Sequence, residues 1–283
     1  MAWRLMESGF ALSAIIVEKR EQFLNQRLGG KPHSLLQHGL PFLVKKVWET
    51  FKIRRHYYFR KIFRSRFHSP VYLSIEELAL DYPMNIYEVD DHNGQEVKDL
   101  LWRFQPDVGV LTNTRKIKKE ILKMSKHGFF NLHLAELPKY AGLDSIFWAL
   151  YHGEKEIGVT VHSVVPEIDR GEILEQAKIL VTAWDDENTL YEKALWLGTY
   201  LMTQALGKLK NGTLQRRSQD RTRASYFSWP TARDRKIFRR HLQELRNQIQ
   251  SKPGEKHVLH VITRMIRGGA QENTLASVLG LAK

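Results

Sequence analysis

Hydrophobic and polar positions follow two rhythms along this chain, and the places where one gives way to the other mark out its elements. Ala11 to Val17 is a short apolar run that predicts a buried strand, and residues 84–89 (Met-Asn-Ile-Tyr-Glu-Val) alternate like a half-buried one. Between them, residues 20–68 read as helical but irregular, broken at Gly29-Gly30-Lys31-Pro32. Val97, Leu100, Leu101 and Phe104 recur at helical spacing and predict a helix over 94–104, stopped by Pro106. A continuous apolar strand, Val108 to Leu111, precedes a basic helix over 116–126. Then come a strand from Phe129 to His133, a loop through Leu137-Pro138 and a helix from Ser145 to His152. Gly158 to Val165 and Ile173 to Val181 read as strands joined by a turn at Asp169-Arg170-Gly171, and a long helix from Asn188 to Leu209 closes the series.

Strands alternating with helices predict an α/β architecture, doubly wound and Rossmann-like, on a mostly parallel sheet. The last two strands have a short connection and are therefore expected to run antiparallel, which makes the sheet mixed near one edge.

Composition narrows the chemistry. The 283 residues include no cysteine, so disulfides, thiol nucleophiles and cysteine-based zinc sites are excluded, and no metal site is expected. A cytoplasmic location fits this composition, and no apolar run approaches the roughly 20 residues of a membrane span. The net charge of +13 is concentrated in two places. One is Lys45 to Arg66, with Trp48, Tyr57, Tyr58, Phe59 and Phe63 interleaved; the other is a tail holding Arg216, Arg217, Arg233, Arg235, Arg239 and Arg240. Such stretches suit nucleic acid or an anionic surface, but a solvated helical face over packed aromatics is preferred, because no nucleic-acid motif accompanies the charge.

Candidate chemistry gathers at the end of the strand Phe129 to His133. Period-two alternation puts Asn131 and His133 on one face and Leu132 on the other. In parallel α/β sheets, ligands collect beyond the carboxyl ends of strands, where these side chains project. Asp169 lies seven residues after His162, in a tight turn that a neighbouring strand end can bring close to His133. Singly, each has a plain explanation: strand-end polar groups for Asn131 and His133, a turn residue for Asp169, a structural role for His162. Together they suit acyl transfer to an amine. An amide donates to the oxyanion of a tetrahedral intermediate, an imidazole moves protons near neutral pH, and a carboxylate orients that imidazole.

Asn131-Leu-His133, Leu137-Pro138-Lys-Tyr140-Ala-Gly142, Ala149, Gly153, Gly158-Val-Thr-Val-His162 and Asp169-Arg-Gly171-Glu-Ile-Leu174 follow one another in an order and spacing that resemble the folate-dependent formyltransferase family. The resemblance runs from about Pro106 to Val181. It implies an enzyme with 10-formyltetrahydrofolate as donor, and Asn131, His133 and Asp169 as catalytic residues. It also implies a pterin pocket at Leu111, Thr112, Asn113 and Ile117, with a substrate loop through Leu137, Pro138, Tyr140 and Gly142. Where the family usually shows Pro-Ser-Leu-Leu-Pro after the His, this chain has Leu134-Ala135-Glu136-Leu137-Pro138, a departure on the acceptor side.

The resemblance further places a first strand at the middle of the sheet. Residues 1–9 look instead like the end of a helix, so that strand is expected to be missing. A vacant slot would leave backbone donors and acceptors beside residues 11–17 unpaired, unless the spare strand His257 to Thr263 fills it. Val258 to Thr263 with Arg267-Gly268-Gly269-Ala270 resembles the opening strand and loop of a GT-B glycosyltransferase. The expected organisation is a formyltransferase domain over 1–215, a basic helical tail and linker over 216–253, and an incomplete glycosyltransferase-like fragment over 254–283. The acceptor expected is a primary amine on a nucleotide-linked amino sugar. Methionyl-tRNA is the alternative that the basic tail would suit, and a non-catalytic scaffold is the alternative that a broken sheet would suit.

Overall fold

A computed structural model of the chain describes residues 1–19, 75–112, 114–182, 184–238 and 240. The basic block at 45–66, the pterin position Asn113 and the fragment at 254–283 lie outside the described residues. The chain divides into two compact units, residues 2–106 and residues from 107 onward.

In the first unit, helix α1 (Ala2–Glu7) leads to strand β1 (Ile15–Glu18), helix α2 (Ile75–Asp81), strand β2 (Ile86–Val89) and helix α3 (Gln95–Phe104). β1 and β2 pair in parallel from Ile15↔Ile86 to Glu18↔Val89, and β2 is the partner of β1 among the described residues. The strand expected over 11–17 therefore starts four residues later, because its partner begins at Ile86, just after Pro83. Residues 2–7 are helical, as the pattern of 1–9 suggests. Helix α3 buries Val97, Leu100 and Leu101, the spacing read from the sequence, and stops at Gln105, whose left-handed backbone (φ 41) precedes Pro106.

In the second unit the elements are β3 (Gly109–Leu111), α4 (Lys119–Leu122), β4 (Phe129–His133), β5 (Ala141–Gly142), α5 (Ser145–Tyr151), β6 (Glu156–Ser163), β7 (Ile173–Leu180), α6 (Glu187–Lys210), a 3-10 turn (Arg221–Arg223) and β8 (Tyr226–Phe227), followed by a helical stretch over 232–238. Strands β3-β4-β6-β7 form one sheet, and β5 pairs with β8 in a separate small one. The β3–β4 pair is parallel and β6–β7 antiparallel, as expected, but β4–β6 is antiparallel too, so the mixed character begins one strand earlier. Helix α5 accounts for this: seven residues rise only about 10 Å, too short to carry the chain back along a strand.

Helix α6 covers this sheet. Leu190, Ala194, Leu197, Gly198, Leu201, Met202, Ala205 and Leu206 are its buried stripe, and a capping box starts it: the Asp186 carboxylate accepts from Thr189 N–H while the Thr189 hydroxyl accepts from Asp186 N–H. A Cβ at Gly198 would collide with the Leu132 side chain, so the glycine sets how closely α6 approaches β4. The basic helix expected over 116–126 shrinks to Lys119–Leu122. Ser125 Oγ and His127 N–H both donate to the Asp107 carbonyl, which commits the backbone to the turn at Gly128 (φ 74). Among the described residues no helix is long and apolar enough to cross a membrane.

Candidate active site

Strand β4 delivers Asn131 and His133 to one end of the sheet: Phe129, Phe130 and Leu132 are packed into the core, His133 is buried beside them, and Asn131 alone is partly open. The antiparallel register sets Asn131 opposite His162 and His133 opposite Thr160 on β6. The β6–β7 turn then returns Asp169 to the same place.

Asp169 is the hub of the cluster. Its Oδ2 lies 3.6 Å from His133 Nδ1 and its Oδ1 lies 3.6 Å from His162 Nε2. Gly142 N–H donates to Oδ2 at 2.8 Å. The backbone at Asp169 is left-handed (φ 53), a conformation Asp tolerates better than most side chains. Asn131 Nδ2 donates to His162 Nε2 at 3.1 Å, and His162 Nδ1–H donates to the Ser163 carbonyl at 2.8 Å.

His133 is oriented from the other side. Its Nε2–H donates to the Tyr140 carbonyl at 2.8 Å, which leaves Nδ1, the nitrogen facing Asp169, as the basic one. Burial pushes the imidazole below its ordinary value of 6.5, against the opposing pull of Asp169 and the Tyr140 carbonyl. For Asp169, burial acts to raise the carboxyl, but His133, His162 and the Gly142 amide outweigh it and hold the group at about 2. The pair at neutral pH is therefore a carboxylate beside an unprotonated imidazole, an arrangement that can accept one proton and stabilise it once accepted.

The loop 134–144 is built to hold these contacts. Thr160 Oγ1 donates to the Ala135 carbonyl at 2.6 Å and accepts from Leu137 N–H at 3.2 Å, and Gln176 Nε2 donates to the Leu137 carbonyl at 2.9 Å. Leu137, expected to face substrate, is a core side chain only 2% exposed; its backbone carries the anchoring. Tyr140 contributes its carbonyl rather than its ring, whose hydroxyl donates to Glu154 at 2.9 Å. That interaction and burial raise the phenol, burial having the larger effect. Gly142 (φ 99) has no room for a Cβ, which would meet the Phe227 carbonyl.

On the donor side, Leu111 ends β3 in register with Asn131, Thr112 is exposed just beyond it, and Ile117 is buried. A group bound at the end of β3 would thus lie next to the Asn131 amide. Local pattern cannot point to the contributions that arrive from after α6. Gln219 Nε2 donates to the carbonyls of Asp169 (2.8 Å) and Gly171 (2.7 Å), and Ser225 Oγ accepts from Tyr140 N–H at 2.9 Å. The stretch expected as a basic tail therefore enters the fold over its described part. Arg217 bridges Ile173, Phe238 is buried 4.9 Å from Phe147, and Arg235 pairs with Asp144 at 2.8 Å.

The model of one family, described as formyl transferase, matches residues 62–206, half of the chain. The chain is 32% identical over 197 residues to a methionyl-tRNA formyltransferase of Thermotoga neapolitana, across 68% of this chain and 62% of that protein. It is 32% identical over 178 residues to the bifunctional polymyxin resistance protein ArnA of Wigglesworthia glossinidia brevipalpis, across 62% of this chain and 26% of that one. The chain thus spans less than two thirds of the length of either relative. Among solved structures, an N-formyltransferase from Helicobacter canadensis in complex with folinic acid and dTDP-3-aminofucose superposes with a TM-score of 0.47 at 24% identity, over 59% of this chain and 57% of that one.

Proposed function

The chain belongs to the formyl transferase family, and from that footing we propose that it moves a formyl group from 10-formyltetrahydrofolate to a primary amine at the centre formed by Asn131, His133 and Asp169. The observation that carries this reading is the hydrogen-bonding state of His133. Its Nε2–H is committed to the Tyr140 carbonyl, and its free Nδ1 stands 3.6 Å from a carboxylate that stays ionised.

The donor, a co-substrate held by Leu111, Thr112 and Ile117, supplies the formyl carbon and the nitrogen that leaves. The chain's own residues do the rest. The Asn131 amide gives up its contact with His162 and donates to the developing oxyanion. His133 Nδ1 takes the proton lost by the attacking amine, and Asp169 stabilises the imidazolium that results. His133 then returns that proton to the departing nitrogen, so the cycle ends with formylated amine, tetrahydrofolate and a neutral imidazole. No nucleophilic side chain is consumed, in keeping with a chain that has no cysteine.

The acceptor proposed is the amine of a nucleotide-linked amino sugar. The sequence resemblance of 258–271 to the opening of a glycosyltransferase supports a role in the same glycan chemistry. So does Arg235, a charge of the supposed nucleic-acid tail, which is spent on Asp144 and Glu187. Methionyl-tRNA is the second reading, supported by the name of the 32% identical relative. Incubating the purified chain with 10-formyltetrahydrofolate and either dTDP-3-aminofucose or methionyl-tRNA, with tetrahydrofolate release as the readout, separates the two. Turnover with the sugar alone supports the proposal. Turnover with the tRNA alone replaces the acceptor, and folded protein that neither binds donor nor turns over favours a scaffold.

A further inference from the structure

The polypeptide after α6 runs along both walls of the site. Arg217 pairs with Ile173 through two backbone hydrogen bonds of 2.8 and 2.9 Å, and Arg216 faces Glu172 at 3.6 Å. Gln219 follows. It gives both N–H groups of its amide to one turn, to the carbonyls of Asp169 and of Gly171, and its Oε1 is buried without a hydrogen-bond partner among the described residues. The amide has one workable orientation, because turning it over would set Oε1 against two carbonyl oxygens. Farther along, Ser225 accepts from Tyr140 N–H and bonds through its backbone to Pro138 and Ala141, on the loop that carries the His133 acceptor.

The turn is where such a clamp has most effect. Asp169 is left-handed, and Gly171 is pressed so closely on the Ser163 carbonyl that no Cβ fits. The Asp169 carboxylate reaches two imidazoles and the Gly142 amide at once, so a small rotation of its backbone loosens all three. Residues 216–227 lie outside the segment matched to the family model, 62–206.

We infer that Gln219 is a positioning residue of the Asn131–His133–Asp169 centre, holding the Asp169 turn in register with His133 through its two amide donors; this rests on the formyl transfer proposed above. Gln219 touches no reacting atom and acts through Asp169.

The test uses the full chain with Gln219→Glu and Gln219→Ala, 10-formyltetrahydrofolate as donor, and dTDP-3-aminofucose and methionyl-tRNA as acceptor probes. Glutamate keeps the shape but, when ionised, opposes the two carbonyls; when protonated, it restores one donor. Both variants are expected to lose kcat by about 10- to 100-fold at neutral pH with KM for either substrate nearly unchanged, the scale of a misplacement of about 1 Å. As pH falls, the glutamate variant is expected to regain activity relative to wild type while the alanine variant does not, a signature that lost stability alone would not produce. Wild-type kcat in both variants, whatever their melting temperatures, would overturn the inference, as would parallel pH profiles of the two. If the wild type itself transfers no formyl group to either probe, the functional reading fails, and nitrogen-detected NMR titration of His133 still decides the clamp. The imidazole is expected to titrate lower in both variants than in wild type, as it should in Asp169→Asn, and an unchanged titration would refute the positioning.

Discussion

His133 and Asp169 are two groups whose surroundings push them in the same direction, for opposite reasons. Burial disfavours the imidazolium, so His133 is neutral where a free histidine would begin to charge, while His133, His162 and the Gly142 amide together keep Asp169 ionised despite its burial. The acid limb of kcat/KM, set by protonation of the base, is expected below pH 6.5. Asp169→Asn is expected to move it lower still, because the carboxylate is what raises the imidazole; a limb moving to higher pH in that variant would contradict the assignment. For stability, Asp169 drops from an ordinary 3.8 to about 2, which corresponds to about 2 kcal/mol present above pH 3.8 and lost as pH falls toward 2. His133 contributes separately at higher pH, since the unfolded chain takes up its proton from 6.5 downward while the buried ring resists. Urea denaturation at stepped pH is expected to show Asp169→Asn weaker by about 2 kcal/mol at neutral pH and less sensitive below pH 4. At this scale the sequence was informative: alternation put Asn131 and His133 on one face and the Asp-Arg-Gly turn flagged Asp169. The exchange between Asn131 and His162 was not legible, since it depends on which strand pairs with β4.

Elements fared unevenly, and the reasons are physical. Strand β4 and helix α6 were legible almost residue for residue, because β4 is a short run buried almost throughout and α6 repeats its buried residues at helical spacing. Helix α4 was not, because long-range bonds to the Asp107 carbonyl cut short a stretch whose charges alone resemble a helix. Pairing direction was also hidden: the connection from β4 to β6 is long enough on paper for a parallel crossover, and only the shortness of α5 rules it out. The small sheet β5–β8 joins segments about 85 residues apart and has no local signature. Two substitutions probe these elements. Gly142→Ala places a side chain in left-handed backbone and against the Phe227 carbonyl; it is expected to destabilise by more than about 2 kcal/mol and to lower kcat through Asp169. Gly198→Val is expected to lift α6 from Leu132 and cost about 1–3 kcal/mol, with the pH profile unaltered in the folded fraction. Thermal melts paired with kinetics separate the two outcomes.

At the scale of the whole molecule, charge and chain length frame the acceptor. A net charge of +13 favours any polyanion, yet among the described residues Arg235 is tied to Asp144 and Glu187 and Arg216 faces Glu172. If the acceptor is a sugar nucleotide, its binding is expected to weaken only shallowly with salt and to ignore neutralisation of Arg233 and Arg240, both exposed. A transfer RNA would give a steep slope flattened by those same changes, and that result would overturn the sugar reading. The division at residue 215 expected from composition is also a matter of scale. Basic residues read as solvated tail when taken locally, whereas Arg217, Gln219, Ser225 and Phe238 are threaded into the second unit by bonds that only the folded chain reveals. The central claim, that His133 is the base of a formyl transfer, is tested most directly by donor binding and single-turnover transfer in wild type and His133→Ala side by side. Both are expected to bind 10-formyltetrahydrofolate with similar affinity, and transfer in the variant to fall by at least about 100-fold; equal transfer by the two proteins would contradict a role for His133 as the base.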